Sequence, residues 1–199
     1  MIPNVKTGFF TQFNHTVYDS LERCVATDGA QNVLDTNQAM DAWCRRTEKL
    51  KAENATMFFV GNGASSMMAG HMSADAAKNG QIRARAFHET SLMTAVSNDI
   101  SYENVFAYPL MRFANPGDVL VTISSSGNSP NIMKAIEKAE EMGLDVITLS
   151  GKEADNKCRS CGMLNFYVPS NSYGVVECAH QVLLHSWLDQ YMEENGLEI

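Results

Sequence analysis

One stretch decides the predicted fold class: residues 118–131, DVLVTISSSGNSPN. Its first half, residues 119–123, is a short apolar run rich in β-branched side chains, which is typical of a buried parallel strand. Hydroxyl side chains and a glycine follow, and Pro130 then suits the first turn of a helix. Such a turn can bind an anion, because free backbone N–H groups and the positive end of the helix dipole point to one place. We expect a phosphate there. The alternative is an ordinary turn in which serine and asparagine only cap the helix.

Length and composition indicate one globular domain. The chain has 199 residues, of which 45% are apolar, and this is enough for a sizeable core. We expect a single domain over residues 1–199, with N-terminal helices in 1–54 and an α/β core in 55–199. The five cysteines, an odd number, fit free thiols in a reducing compartment. We interpret the CxxC of Cys158 and Cys161 as structural, because no second pair lies near it.

Charge and hydropathy argue against some classes of partner. The net charge of −8 argues against direct nucleic-acid binding, which needs a basic surface. A phosphate ligand must then be attracted by local dipoles, because the overall field repels it. No stretch approaches the roughly 20 apolar residues that a membrane span needs, so no membrane partner is expected. The N-terminal sequence MIPNVKTGFF has no apolar run of signal-peptide length, and we expect a cytoplasmic location.

The order of the predicted elements indicates an α/β domain. Two amphipathic helices are predicted before any strand, at residues 9–27 and 32–53. After them, strand and helix patterns alternate, which predicts a mainly parallel sheet. The strands are expected at residues 56–60, 82–87, 119–123, 144–149 and 164–168, and the helices at 65–78, 90–96, 102–113, 130–142, 153–161 and 174–194.

A second turn resembles the first in its design. The sequence GNGAS, residues 61–65, follows the first predicted strand directly. Its glycines permit a tight turn and a close approach of the backbone to a ligand, and Ser65 can cap the next helix. In open parallel sheets, ligands bind at the carboxyl ends of strands near a switch in strand order. The two turns are therefore expected to face one ligand.

Two predicted helices carry side chains suited to acid–base chemistry or metal binding. On the helix after GNGAS, His71 and Asp75 lie one turn apart on the same face, which fits a functional pair or an ordinary surface pair. On the last helix, Glu177, His180 and His185 stand among apolar neighbours. A charged group in such a helix needs a partner or a function, whereas a histidine there can equally be a hydrogen-bonded core residue.

These motifs resemble a known family. The chain resembles the sugar isomerase (SIS) fold through GNGAS, ISSSGNSPN, VITLSGK and a closing helix with an acid and a histidine. Over residues 57–190 it is most similar to the phosphoheptose isomerases. The resemblance implies a three-layer α/β sandwich with an N-terminal helical extension and a homo-oligomer, a tetramer in that family. It also implies an aldose–ketose isomerase that interconverts sedoheptulose 7-phosphate and a heptose phosphate.

The resemblance also implies roles for individual residues. Those that would hold the phosphate and the sugar hydroxyls are Asn62, Ser65, Asp99, Ser124, Ser126 and Ser129. Those that would bind a metal, Zn²⁺ in some members, are His71, Asp75, Glu177 and His185. No other cofactor is expected. Asp75 on the first helix and His185 on the last would serve as acid and base.

Three positions depart from the family pattern. Asp75 is one methylene shorter than the family's glutamate, Glu177 replaces a glutamine, and Gly174 stands where an acidic residue is common. Other sugar-phosphate isomerases of this fold carry a catalytic glutamate early in the last helix, so the base is expected to be Asp75 or Glu177. The alternative function is a non-catalytic module, either a scaffold associated with the replication initiator or a sensor of sugar phosphates. Such scaffolds lack the last-helix histidine, which this chain keeps as His185.

Overall fold

The computed structural model describes residues 8–198. Residues 1–7 and Ile199 lie outside this range, so the structure does not bear on the targeting expectation drawn from the N-terminal sequence. In chain order the elements are α1 (Phe9–Glu22), β1 (Val25–Asp28), β2 (Val33–Leu34), α2 (Thr36–Ala52), β3 (Thr56–Gly61), α3 (Ala64–Lys78), β4 (Arg83–Ala86), α4 (Thr90–Asp99), α5 (Ala107–Phe113), β5 (Val119–Ser124), α6 (Pro130–Glu141), β6 (Asp145–Gly151), β7 (Leu164–Val168) and α7 (Tyr173–Glu194), with 3₁₀ turns at Tyr102–Asn104 and Lys157–Ser160. Among the described residues, no helix combines the length and the apolar character needed to cross a membrane.

Within the described residues the strands form one seven-stranded sheet in the order β2-β1-β7-β6-β5-β3-β4. The strands β7, β6, β5, β3 and β4 run parallel, and β1 pairs antiparallel with both β7 and β2. From β3 the chain crosses outward to β4, whereas from β5 it crosses in the opposite direction to β6. The carboxyl ends of β3 and β5 therefore meet where the strand order reverses, which is where open α/β sheets bind ligands.

Helices cover both faces of this sheet. On one face α2, α3 and α7 pack through side chains that include Trp43, Met72 and Trp187. On the other face α4, α5 and α6 pack through side chains that include Leu110 and Ile136. Because both faces of the central strands are buried, every residue of β5 is buried, as its apolar sequence predicts. The predicted α/β three-layer sandwich with a mainly parallel sheet is confirmed.

The N-terminal region differs from the prediction. Residues 9–27 do not form one helix: α1 ends at Glu22, and β1 pairs with the edge of β7, where Ala26 is fully buried. The strand β2 likewise occupies the start of the second predicted helix, so two strands precede the expected first one. The physical reason is that runs as short as these fit both a helical and a strand pattern. The hydrogen-bond partners that select the strand lie in β7, far along the chain.

Two further predicted helices are shorter in the structure. Residues 102–113 divide into a 3₁₀ turn and α5, which begins at Ala107. Pro109 explains the division, because a continuous helix would place this proline in its interior, whereas α5 keeps it in the first turn. Residues 153–161 contain only the 3₁₀ turn Lys157–Ser160.

The last helix, α7, is fixed firmly to the core. The ring of Trp187 stacks on that of Trp43 with centroids 4.6 Å apart, and its indole N–H donates to Thr47 Oγ1 at 3.0 Å. His180 is fully buried, and its Nε2 lies 3.1 Å from the carbonyl oxygen of Ser150. Burial lowers the pKa of His180 to about 4, so its neutral ring donates to that carbonyl near neutral pH. His180 is therefore a hydrogen-bonded core residue.

Candidate active site

The turn after β5 is folded tightly around Gly127. This residue has a positive φ of 61°, and a Cβ there would overlap the side chain of Asn156, so the position requires glycine on both grounds. The Gly127 N–H donates to the carbonyl of Ser124 at 3.0 Å, and the Asn128 N–H donates to Ser126 Oγ at 3.3 Å. The serine-rich turn is thus held in one conformation by its own backbone.

The segment 154–161 packs against this turn and donates two backbone hydrogen bonds to it. The Cys158 N–H donates to the carbonyl of Gly127 at 3.0 Å, and the Lys157 N–H donates to Asn128 Oδ1, also at 3.0 Å. Cys158 is buried, and burial raises the pKa of its thiol to about 12, which keeps the thiol protonated and unreactive. The first cysteine of the CxxC thus supports the turn through its backbone and its packing.

A pair of asparagines links the turn after β3 to the turn after β5. Asn62 Nδ2 donates to Asn131 Oδ1 at 2.9 Å, and Asn131 Nδ2 donates to Asn62 Oδ1 at 2.8 Å. The Tyr102 hydroxyl donates to the same Asn62 oxygen at 3.2 Å. Asn131 is only 2% exposed, so this contact fixes the first turn of α6 against the turn before α3. Sequence reasoning missed both Asn131 and Tyr102. The sequence signal that could have identified Asn131 is its position, since it places a side-chain amide directly after the serine-rich turn.

A polar cavity of about 180 Å³ lies between these turns and the start of α7. Its polar lining consists of Asn62, Ser65, Ser124, Ser125, Ser126, Ser129, Tyr173 and Glu177. Contrary to the prediction, Ser65 does not cap α3, which begins at Ala64 with Gly63 at the N-cap. Among the described residues, the hydroxyl of Ser125 is buried without a partner. We call this cavity the serine cradle. Its hydroxyls and the N-terminus of α6 are the donors that a phosphate group needs.

Three of the four predicted metal-ligating residues lie together at the other end of the site. Nε2 of His71 is 3.3 Å from Oδ2 of Asp75, and the ring centroids of His71 and His185 are 5.3 Å apart. One ligand atom from each residue lies within 4.8 Å of the other two. Two imidazoles and a carboxylate are donors that zinc prefers, and three protein ligands leave a fourth position open, as in catalytic zinc sites. We call this group the histidine–aspartate cluster, and its donor set fits zinc.

Glu177 does not join this cluster but stands between it and the serine cradle. Along a straight helix it is about 12 Å from His185 and rotated by roughly 80°. It lines the serine cradle and also a second cavity of about 380 Å³, to which His71 contributes. Among the described residues, its carboxylate forms no ion pair. Glu177 is thus the residue that the two cavities share, and His71 is the member of the cluster that reaches the second cavity.

Two other positions of interest lie outside both cavities. Asp99, the last residue of α4, is exposed, and its carboxylate accepts a hydrogen bond from Asn98 Nδ2 at 2.8 Å. It lines neither the serine cradle nor the second cavity. Gly174, where the family pattern often has an acid, faces α1, because a Cβ there would lie 3.6 Å from the ring of Phe13. This position is therefore used for helix packing.

Comparison with known proteins places the chain in a family. The model of the SIS domain matches residues 12–151. A phosphoheptose isomerase from Helicobacter pylori is 33% identical over 139 residues, which cover 67% of this chain and 72% of that protein. One from Shewanella denitrificans is 29% identical over 175 residues, covering 82% of this chain and 89% of that protein. The solved structure of a phosphoheptose isomerase from Neisseria gonorrhoeae shares the fold, with a TM-score of 0.78 at 24% identity, and the match covers 92% of this chain and 94% of that chain. The protein therefore belongs to the SIS domain family and is a relative of the phosphoheptose isomerases.

Proposed function

We propose that the protein is a sugar-phosphate aldose–ketose isomerase of the phosphoheptose isomerase type, which acts through a carboxylate and a histidine. One observation carries the proposal: Glu177 lines the serine cradle and also shares a cavity wall with His71 of the histidine–aspartate cluster. A phosphate site alone would suit a sensor or a scaffold equally well. A phosphate site continuous with acid–base groups suits catalysis. The phosphoheptose isomerases among its relatives support a phosphorylated sugar as the substrate.

The phosphate group binds in the serine cradle in this proposal. The hydroxyls of Ser124, Ser126 and Ser129 and the N-terminus of α6 donate to its oxygens. Ser65 and the amide of Asn62, which Asn131 holds in orientation, bind the adjoining part of the sugar. The open-chain sugar then extends along α7 towards the cluster. Fixing the phosphate in this way orients the reacting carbons, which lowers the entropic part of the barrier.

Isomerisation moves one proton between adjacent carbons and another between their oxygens. We assign the first transfer to Glu177, whose carboxylate takes the proton from the carbon beside the carbonyl and returns it to the neighbouring carbon. Glu177 suits this role better than Asp75, because Asp75 is engaged with His71 at 3.3 Å. His185 has one of two roles in this proposal: it moves the hydroxyl proton, or it ligates the metal together with its neighbours in the cluster. The enediolate formed between the two transfers is stabilised by the groups that face its oxygens.

Zn²⁺ is the proposed cofactor, held by His71, Asp75 and His185, whose ligand atoms lie within 4.8 Å of one another. When bound, such an ion polarises a carbonyl oxygen as a Lewis acid. Glu177 lies outside this group of ligand atoms and remains available for proton transfer. Its carboxylate replaces the amide that the family resemblance leads one to expect, so the base and the metal ligands are separate residues in this chain.

We also infer that residues 1–199 form one domain that assembles as a homo-oligomer, a tetramer by resemblance to the family. The support is α1, where Phe9, Phe10 and Tyr18 are 82%, 77% and 61% exposed. Phe9 and Phe10 are neighbours in the chain, and large apolar side chains exposed next to each other mark an interaction site. Phe13 of the same helix packs against α7, so an interface on α1 would adjoin the proposed site. Light scattering at micromolar concentration tests this, and a monomer would contradict it.

Turnover of ketose phosphates tests the proposed function. The full chain is assayed with sedoheptulose 7-phosphate and with five- and six-carbon ketose phosphates, with and without added Zn²⁺. We expect turnover of at least one substrate, and a fall of about 10²-fold or more in Glu177→Gln, which keeps the shape of the side chain but cannot take a proton. Asp75→Asn is the comparison variant, because Asp75 is the other candidate for the base. Binding of a sugar phosphate without any turnover would instead support the sensor, and neither binding nor turnover would support the scaffold.

A further inference from the structure

Lys152 lies directly beside the serine cradle and has no role in the function proposed above. It follows β6, and the preceding residue touches the cradle, because a Cβ at Gly151 would lie 3.2 Å from the carbonyl oxygen of Ser125. The Lys152 ammonium is 3.9 Å from the ring centroid of Tyr173, and Tyr173 lines the cradle. A cation is thus held at the rim of the cradle by a cation–π contact.

The backbone at Lys152 is one that glycine favours. Its φ is 59°, in the left-handed region, where the Cβ of an ordinary residue is crowded. Two hydrogen bonds hold it there: its N–H donates to the carbonyl of Ser170 at 3.1 Å, and its carbonyl accepts from the Tyr167 hydroxyl at 2.8 Å. Strained positions of this kind concentrate at functional sites. Glycine would fit this position with less strain than lysine does.

The electrostatics of the cradle show what this cation could do. The residues that line the cradle offer hydroxyls, an amide and the carboxylate of Glu177, and none of them is cationic. The chain as a whole has a net charge of −8. A phosphate dianion in the cradle is therefore repelled by the overall field and, at short range, by Glu177. Among residues 8–198, Lys152 forms no ion pair, so its charge is available to a ligand.

We propose that Lys152 is a further substrate-binding residue, whose ammonium leaves the face of Tyr173 and pairs with the phosphate group in the serine cradle. This inference rests on the proposed function. The flexible four-carbon stem of lysine permits the movement, and Tyr173 keeps the charge close by when no ligand is bound. The ammonium offsets the repulsion between the phosphate and Glu177, so a carboxylate base can lie next to a dianionic substrate. The same charge selects phosphorylated sugars over unphosphorylated ones.

The experiment measures the binding of inorganic phosphate by calorimetry and the turnover of sedoheptulose 7-phosphate. It uses the full-length wild type, Lys152→Met and Lys152→Gly. In both variants we expect the Kd for phosphate to rise about tenfold, the scale of one lost charge-assisted hydrogen bond, and its salt dependence to weaken. KM should rise more than kcat falls. Lys152→Gly should keep or raise the melting temperature, because glycine fits a left-handed backbone without strain. Reduced folding cannot then explain the lost affinity.

Lys134→Met is the matched control, because it removes the same charge from α6 on a different cavity outside the cradle. Its Kd for phosphate should stay within about twofold of wild type, the scale of a screened charge at a distance. An unchanged Kd in both Lys152 variants, or an equal loss in Lys134→Met, overturns the inference and leaves the isomerase proposal intact. A wild-type protein that neither binds phosphate nor turns over the sugar phosphate overturns both.

Discussion

His180 and His185 lie on the same helix in different surroundings. His180 is fully buried, 3.1 Å from the carbonyl of Ser150, and burial lowers its pKa to about 4. His185 is partly exposed, and its ring centroid is 5.3 Å from that of His71. Five residues along a helix correspond to a rotation of about 140°, so one ring faces the sheet and the other faces α3. The comparison teaches that the face of α7, and not the residue type, decides what each histidine can do.

The largest expected effect separates the two histidines by activity. His185→Asn should lower kcat by about 10²-fold or more, the usual scale for a positioned acid–base group, and should leave the melting temperature nearly unchanged. His180→Asn should instead lower the melting temperature, because it disturbs a buried hydrogen bond. Initial rates and thermal unfolding of both variants make the test. If the two variants lost stability equally and activity equally, the distinction between the two faces would be wrong.

A second prediction concerns pH and applies to His180 alone. The unfolded chain binds a proton at this residue with a pKa near 6.5, whereas the buried ring does so only near 4. The unfolded state therefore binds more protons between these values, and the free energy of unfolding falls as the pH is lowered through this window. The expected loss from this residue is roughly 3 kcal/mol, and its contribution is fully restored above pH 6.5. Denaturant unfolding from pH 4 to pH 7 measures it.

The matched variant for this titration is His180→Leu, which has no ionisable group at the site. Its free energy of unfolding should be lower at neutral pH, because the carbonyl of Ser150 loses its donor. Between pH 4 and pH 6.5, however, it should change less steeply than that of wild type. Equal slopes in the two proteins would contradict the assignment of His180 as a neutral core residue.

A third prediction uses zinc to sharpen the comparison. If Zn²⁺ binds the histidine–aspartate cluster, a free concentration of about 100 times its Kd stabilises the native state by about 2.7 kcal/mol. Thermal unfolding with Zn²⁺ and with a chelator measures the shift. The shift should disappear in His185→Asn and His71→Asn, and it should persist in His180→Leu. Persistence in all three variants would mean that zinc binds elsewhere.

The smallest expected effect compares serines in two surroundings. Ser126 and Ser129 lie in the turn after β5, and Ser150 is a buried residue of β6. Replacing Ser126 and Ser129 with alanine should weaken phosphate binding by about 1–3 kcal/mol, because hydrogen bonds to a charged group are lost. Ser150→Ala is the control, since the Ser150 hydroxyl is buried without a partner among the described residues. Its removal should change neither phosphate affinity nor stability appreciably. Calorimetry on both variants compares the effects, and unchanged affinity in the double variant would remove the cradle as a phosphate site.

Local patterns predicted the parts of the fold that depend on neighbouring residues. The apolar run of β5, the serine-rich turn and the start of α6 at Pro130 follow one another in the chain, and each signal is contained within its own segment. The same holds for the turn after β3. In the N-terminal region the prediction was wrong, because β1 is a strand only where the edge of β7 supplies its hydrogen-bond partners. That partner lies more than a hundred residues away in the sequence.

In the candidate site, too, some features could be predicted from the sequence and others depended on distant partners. Residue types and helix spacing indicated His71 with Asp75 and also drew attention to Glu177 and His185 on the last helix. The resemblance then assigned a role to each of them. Spacing alone could not tell that His185 would meet the first pair while Glu177 would line the cradle. The link between Asn62 and Asn131 was missed, because the two residues come from separate turns and meet only when β3 and β5 are neighbours.

The fold class, the two turns at the switch point and the kind of chemistry that the side chains allow could all be predicted from the chain before any packing was known. These properties follow from local backbone preferences and from side-chain types. Three relations came from the packing of the folded chain: the face of α7 that meets α3, the burial of His180, and the place of Lys152 at the rim of the cradle. These relations depend on how the helices and strands pack. A packing contact joins residues that are far apart in the chain, and no local sequence pattern indicates which residues will meet.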